Sequence, residues 1–337
     1  MGLLQRFARP EYRLGSEQEE ERTEPQARDE QAPEATPAQA APGSPAAGHS
    51  TLPESPAKGG DGVNGNGHFA SDTSSGPQHA QPETRHAKVI AFANQKGGVA
   101  KTTTTLNLAV AFAETGHRVL AVDMDPQGNL TMSQGIDPDS VEKSMYHVLV
   151  DNMPIREIIR EREVDVACAS IDLAGAEIAM STKIGRERSL EKALKAVRDD
   201  YDFVCIDTPP SLGLLTINAL TAADKVIVPV QCEYLSMRGL IQLQNTLSMI
   251  REELNPGVDI EGILPTLVDT RTVHAKEAIE ILEENFGDRV FATRIRKTIR
   301  FAEAPVKGTS VLKYDPDGSA AESYRDLAKE VLENGRR

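Results

Sequence analysis

From residue 88 onward the chain alternates short apolar runs with stretches in which apolar residues recur every three to four positions. Six runs, at residues 89–93, 119–122, 164–168, 203–206, 226–230 and 260–268, are predominantly apolar, the pattern of strands covered on both faces. Residues 103–115, 189–198, 236–254 and 274–286 carry the helical period instead. A last helix is expected over 320–332, with Leu327, Ala328 and Val331 as its apolar stripe. Strands alternating with helices predict right-handed βαβ crossovers. The expected fold class is therefore α/β, a mostly parallel, doubly wound sheet with helices on both faces.

The first 87 residues have a different texture. They hold half of the 20 prolines and are rich in Glu, Ala, Gly and Ser, a composition that buries too little apolar area to offset chain entropy. A disordered acidic tail over 1–87 is expected, ahead of one domain over 88–337. Within the tail, residues 1–14 place Leu3, Leu4, Phe7, Tyr12 and Leu14 among Arg6, Arg9 and Arg13, a short amphipathic basic element. Net charge is −6 for the first 87 residues and −8 for the other 250, making −14 in all. A protein acidic throughout is not drawn to nucleic acid by net charge, so such contact requires a local basic patch.

Two further readings narrow the class. Cys168, Cys205 and Cys232 lie far apart without metal-site or redox-pair spacing, which points to core positions in a reducing compartment. No apolar run approaches the ~20 residues that span a bilayer, and the N-terminus lacks the apolar stretch of a signal peptide. A soluble, cytoplasmic protein is expected.

Chemistry concentrates at the ends of three predicted strands. After the first comes Asn94-Gln95-Lys96-Gly97-Gly98-Val99-Ala100-Lys101-Thr102-Thr103, a glycine-rich loop opening a helix, where backbone N–H groups converge on an anion. Lys101 is expected on the β- and γ-phosphates and the Thr102 hydroxyl on Mg²⁺. Lys96 has no such task in an ordinary loop of this kind, and its place at the mouth suggests reach to a phosphate in a partner subunit. The second strand closes in Asp123-Met124-Asp125-Pro126-Gln127-Gly128-Asn129, placing Asp125 where it could orient an attacking water. The run Phe203-Val204-Cys205-Ile206-Asp207 ends in an acid suited to hold Mg²⁺ through a water.

These motifs resemble those of the ParA/MinD ATPases over nearly all of residues 88–334. Lys96 to Thr102 looks like the family's deviant Walker A motif, Asp125 matches its water-positioning acid and Asp207 its Walker B acid. Gln231-Cys232-Glu233-Tyr234, the segment Pro265 to Thr272 and the segment Ile299 to Pro305 are closer to the chromosome-partitioning ParA/Soj branch than to the MinD branch. The resemblance implies a P-loop NTPase that takes ATP and Mg²⁺, forms a sandwich homodimer when ATP is bound, and binds DNA non-specifically. It also implies a ParB-like activator and nucleoid association. Lys96 would contact the nucleotide of the opposite protomer, and Arg271 and Arg300 match family positions that touch DNA. Residues 294–300 carry Arg294, Arg296, Lys297 and Arg300 with no acid, and Arg294, Arg296, Lys297 and Lys307 are candidates to widen that patch.

Alternatives within the fold include a MinD-like, membrane-associated or orphan ATPase that positions a protein cargo or the division site. An iron–sulfur reductase would need interfacial cysteines, whereas Cys205 falls inside a strand. One departure from the family pattern is Ala100, where Gly usually precedes the second lysine. A methyl group at a loop position that needs a positive φ would loosen the approach to phosphate.

Overall fold

All six apolar runs become strands, because strands flanked by helices on both sides expose neither face to water. The computed structural model describes residues 86–232 and 237–334. The tail and its element at 1–14 fall outside these residues, apart from His86 and Ala87, and so do Glu233 and Tyr234.

β1 (Lys88–Phe92) leads through a loop into α1 (Lys101–Glu114), and β2 (Val119–Asp123) into the single-turn α2 (Asn129–Met132). After α3 (Met145–Val150), two short strands, β3 (Ile159–Glu161) and β4 (Asp165–Ala167), precede α4 (Ala176–Ala179) and α5 (Ser189–Lys195). Next come β5 (Phe203–Asp207), α6 (Leu214–Ala222), β6 (Lys225–Gln231) and α7 (Met237–Glu253). β7 (Asp259–Thr266) is followed by α8 (Val273–Phe286), α9 (Arg300–Val306), α10 (Val311–Tyr314) and α11 (Ser319–Asn334).

Among the described residues the sheet runs β3-β4-β2-β5-β1-β6-β7, with every neighbouring pair parallel except β3 with β4. From β1 the chain builds first towards β2 and later towards β6 and β7, so β1 sits at a topological switch point, where open α/β sheets take their ligands. Register aligns the functional strand ends: Asp207 pairs with Phe92 on one side and with Asp123 on the other.

Alternation along β1 divides the core. Val89 and Ala91 belong to a cluster with Leu190, Leu215 and Leu243, whereas Ile90 and Phe92 join Leu108, Phe112 and Tyr324 on the other face. Phe112 stacks on Phe203 at 4.2 Å between ring centroids, and Tyr324 of α11 shares a 3.3 Å hydrogen bond with Thr104. α11 therefore clamps α1 against the sheet.

Besides the short helices α2, α3, α4, α9 and α10, which the apolar period does not mark, three features differ from the sequence expectation. β3 is invisible to the apolar pattern because Arg160 and Glu161 are exposed and only Ile159 is half-buried, the charged habit of an edge strand. α6 reads Leu-Leu-Thr-Ile-Asn-Ala-Leu-Thr-Ala and is buried on nearly all sides, so it lacks an amphipathic period. Ala87, placed by the sequence in the tail, is buried, with its N–H donating to the Arg198 carbonyl at 2.9 Å and its own carbonyl accepting from Arg198 Nε at 3.0 Å. Among the described residues no helix is long and apolar enough to cross a membrane.

Candidate active site

β1 and α1 hold the loop between them, and three other segments fix it. Asn94, buried, accepts from the Lys96 N–H at 3.0 Å and donates to the Pro229 carbonyl of β6 at 2.7 Å. Thr208 donates to the Phe92 carbonyl at 2.7 Å. Thr266, at the end of β7, donates to the Val99 carbonyl at 3.0 Å. The loop is thus fixed by neighbouring strands before it turns into α1, whose N-terminus carries no side-chain cap. First-turn N–H groups left this way suit an anion.

Ala100 stands at the N-cap of α1 with φ 65° and ψ 36°, in the left-handed region that the sequence made a concern. The methyl group costs about 1–2 kcal/mol there. Ala100→Gly is therefore expected to raise stability by about 1 kcal/mol, an increase in Tm of roughly 2–4 °C by calorimetry.

Lys101 opens α1 and is 7% exposed. Burial lowers its pKa, opposed by the charges of Asp207 and Asp125. Thr102 donates to Asp207 Oδ2 at 2.6 Å, and Thr105 to Asp207 Oδ1 at 3.4 Å. Asp207 is fully buried, and its pKa is pushed up to about 8 by that burial and by the Asp123 charge, against the pull of Thr102 and Lys101.

Asp125 lines the same cleft, and its Oδ1 accepts from the Gln127 N–H at 3.0 Å. Spacing along the sequence singles out Asp125 and passes over Asp123, two residues earlier. Asp123 Oδ1 accepts from the Asp125 N–H at 3.1 Å, while Oδ2 accepts from the Thr131 N–H and hydroxyl at 2.9 and 2.8 Å. Asp123 thereby holds the turn that presents Asp125, and burial raises its own pKa to about 6. Gly128 completes the turn at φ 61°, where any Cβ would also meet Pro138 at 2.7 Å.

The cleft encloses ≈ 470 Å³. Gly98, Lys101, Thr102 and Asp125 line it together with Leu267 and Pro305. Lys96 is half-buried and does not itself line the cleft.

A family model described as an AAA domain matches residues 87–260. The chain is 50% identical over 251 residues to the sporulation initiation inhibitor protein Soj of Bacillus subtilis, covering 74% of this chain and 99% of that protein. It is 41% identical over 248 residues to the chromosome partitioning protein ParA of Myxococcus xanthus, covering 73% of this chain and 88% of that one. The chain belongs to the ParA/MinD family of P-loop ATPases. A crystal structure of cobyrinic acid a,c-diamide synthase from Mycobacterium smegmatis, with bound ATP analogue and magnesium, aligns at 40% identity and TM-score 0.67. That alignment covers 74% of this chain and 96% of the other. The Pyrococcus furiosus cell division ATPase MinD aligns at TM-score 0.61 and 24% identity, over 73% of this chain and 99% of that one, a likeness of fold.

In this ParA/MinD-family chain the cysteines are core residues or nearly so. Cys168 and Cys205 are buried, and burial pushes their thiols up. Cys232 is half-buried at the end of β6.

The basic segment lies beside β7. Val268 bridges to Arg296, and the Lys297 N–H donates to the Val268 carbonyl at 3.2 Å, bringing residues 294–300 alongside the loop that carries Arg271. Arg296, Lys297 and Lys307 are not buried. The segment is free of acid along the chain but not in space. Arg271 makes a two-pronged contact with Asp269 at 2.8 and 2.7 Å. Arg294 pairs with Glu283, and Arg300 pairs with Glu303 at 2.7 Å and Asp315 at 3.1 Å while lying over the Tyr314 ring. Three of the candidate cations are thus matched by acids the local sequence pattern did not pair with them.

Proposed function

We propose that this chain is an ATP-dependent dimerising ATPase that binds DNA without sequence preference and, with a ParB-like activator, partitions a chromosome or plasmid on the cytoplasmic nucleoid. The observation that carries the reading is continuity: Leu267 and Pro305, which wall the cleft, belong to the same short segments as Arg271 and Arg300. Similarity to Soj and ParA supports it.

ATP and Mg²⁺ are the cofactors of this reading, and the donor set suits them. The Thr102 hydroxyl and the Asp207 carboxylate offer oxygen to a hard cation. Around them Asp207 and Asp125 face the Lys101 ammonium, and Asp123 and Asp125 push the Asp207 carboxyl towards its protonated form, a crowding of acids that a divalent cation would relieve. When bound, Mg²⁺ supplies charge neutralisation on the phosphates. The chain's own groups do the rest. The backbone from Gly97 to Thr103 cradles phosphate, Lys101 holds the β- and γ-phosphates, and Asp125 orients the attacking water. Lys96 reaches the nucleotide of the second protomer, so that triphosphate and dimer form together.

Arg271, Arg296, Lys297 and Arg300 contact DNA phosphates in this reading. Removing one phosphate ligand lowers the salt slope of binding by about 0.9. Substituting Arg296→Ala together with Lys297→Ala is expected to weaken retention on unrelated DNA sequences alike and to flatten the slope by about two. Light scattering with a non-hydrolysable analogue should still report a dimer. Equal retention by the double variant and wild type would remove these two residues from the interface.

A MinD-like membrane role is the alternative, and α11 argues against itself as the anchor. Its apolar residues Tyr324, Leu327, Ala328 and Val331 are buried in the core, which leaves no free apolar face for a bilayer. Co-sedimentation of the full chain with plasmid DNA or with anionic liposomes, in ATP analogue and Mg²⁺, tests the choice. Retention on DNA is expected; retention on liposomes alone would overturn the partitioning reading.

A further inference from the structure

Two strained residues flank one hydrogen bond. Among the described residues, three that are not glycine have positive φ: Ala100 at 65°, Asn152 at 57° and Leu267 at 51°. Asn tolerates this region through its short polar side chain. Ala and Leu have no such excuse, and both stand next to the partners of a single contact. The Thr266 hydroxyl, fully buried, donates to the Val99 carbonyl at 3.0 Å. Leu267 follows the donor and Ala100 follows the acceptor, and both line the nucleotide cleft.

The peptide unit explains why this contact matters. Carbonyl and N–H of one planar trans peptide point in opposite directions, so a hand on the Val99 carbonyl also sets the direction of the Ala100 N–H. Val99 is itself 1% exposed, and the Ala100 carbonyl accepts from the Thr104 N–H at 2.9 Å as α1 begins. Strained backbone persists only where its surroundings over-determine it. Here the surroundings on the carbonyl side include a hydroxyl delivered from β7.

We infer that Thr266 is a positioning residue for the phosphate loop: its hydroxyl holds the Val99–Ala100 peptide so that Ala100 stays left-handed and its N–H faces away from β7. The inference deepens the nucleotide reading and rests on it. A glycine in place of Ala100 occupies the left-handed region without help, so the hydroxyl should matter less in that background.

Four full-length proteins test this: wild type, Thr266→Val, Ala100→Gly and the two combined, titrated with a fluorescent non-hydrolysable ATP analogue and Mg²⁺. Thr266→Val is expected to weaken binding about tenfold alone and less than threefold when combined with Ala100→Gly, a non-additivity that a packing defect would not produce. In turnover, KM should rise more than kcat falls, and Thr266→Ser should restore affinity to within about twofold of wild type. An equal loss in both backgrounds, or no loss in either, would overturn the inference. Should the valine variant lose its cooperative melt, Thr266→Ala against Thr266→Ser poses the same question in the two backgrounds. Wild type that fails to bind the analogue would instead sink the nucleotide reading, and this inference with it.

Discussion

Lys101→Ala is expected to lower affinity for ATP at least about 100-fold, read by titration with a fluorescent analogue and Mg²⁺. A hydrogen bond to an ionised partner contributes ~1.5–3 kcal/mol, and an ammonium shared by two phosphates makes more than one such bond. About 3 kcal/mol corresponds to a little over 100-fold. The burial of Lys101 strengthens the expectation, since its surroundings leave little room for solvent to take over its role. Folding should survive the change. Asp207 already sits near a pKa of about 8 with the ammonium beside it. Without that ammonium its carboxyl rises further and keeps its proton at pH 7, which avoids an unpaired buried charge. The sign of the pH dependence follows. A carboxyl whose folded pKa lies above its unfolded value of ~3.9 costs stability progressively as pH rises towards the folded pKa. In metal-free buffer that loss tails off in wild type as pH passes through about 8, and the variant continues to lose beyond it. The Tm difference between them should therefore widen above pH 8. Undiminished affinity in the variant would show that Lys101 is not the phosphate ligand.

The sequence made the sheet legible because its strands are buried on both faces, and in an alternating α/β chain a short continuous apolar run between turn residues marks such a strand. β3 and α6 fail for opposite reasons: one is too polar to register as a strand, the other too apolar to register a helical period. At the cleft, Lys101, Thr102, Asp125 and Asp207 are legible as residues at strand and loop ends, and the fold brings the first three to line one cavity, with Asp207 buried behind Thr102 and bonded to it. Asp123, Asn94 and Thr266 are not. Their work is to hold backbone, and a side chain that bonds to a carbonyl or N–H leaves no spacing to read. Ala100 is the instructive case, since a residue type out of place in a glycine position did foretell an observable strain.

The basic segment shows the converse. Absence of acid between residues 294 and 300 is a statement about neighbours along the chain, whereas charge acts through space. Glu283 comes from α8, Asp315 follows α10, and Asp269 sits two residues before Arg271. DNA phosphates would have to displace these carboxylates from Arg271 and Arg300, which makes Arg296 and Lys297 the cleaner places to measure phosphate contact.

Asp125→Ala is expected to keep ATP binding within a fewfold of wild type and to lower single-turnover hydrolysis about 10²–10⁴-fold, the range for losing a group that orients or deprotonates a nucleophile. Two observations separate chemistry from folding at this position. The Asp125 backbone is held independently of its side chain, its N–H by Asp123 and its carbonyl by the Gly128 N–H at 2.9 Å. The side chain's own structural contact is the Gln127 N–H, which the amide oxygen of an asparagine at that position could equally accept; Asp125→Asn therefore preserves the turn while removing the carboxylate. If the carboxylate orients water, both variants should stop hydrolysis, and both should remain on DNA as dimers after free ATP is washed away, because the event that releases them no longer occurs. If Asp125 serves the turn alone, Asp125→Asn should turn over like wild type and leave DNA at the same rate. Hydrolysis within about threefold of wild type in both variants, well short of the loss expected for a missing general base, would place the water elsewhere in the cleft, with Asp123 the carboxylate to test next.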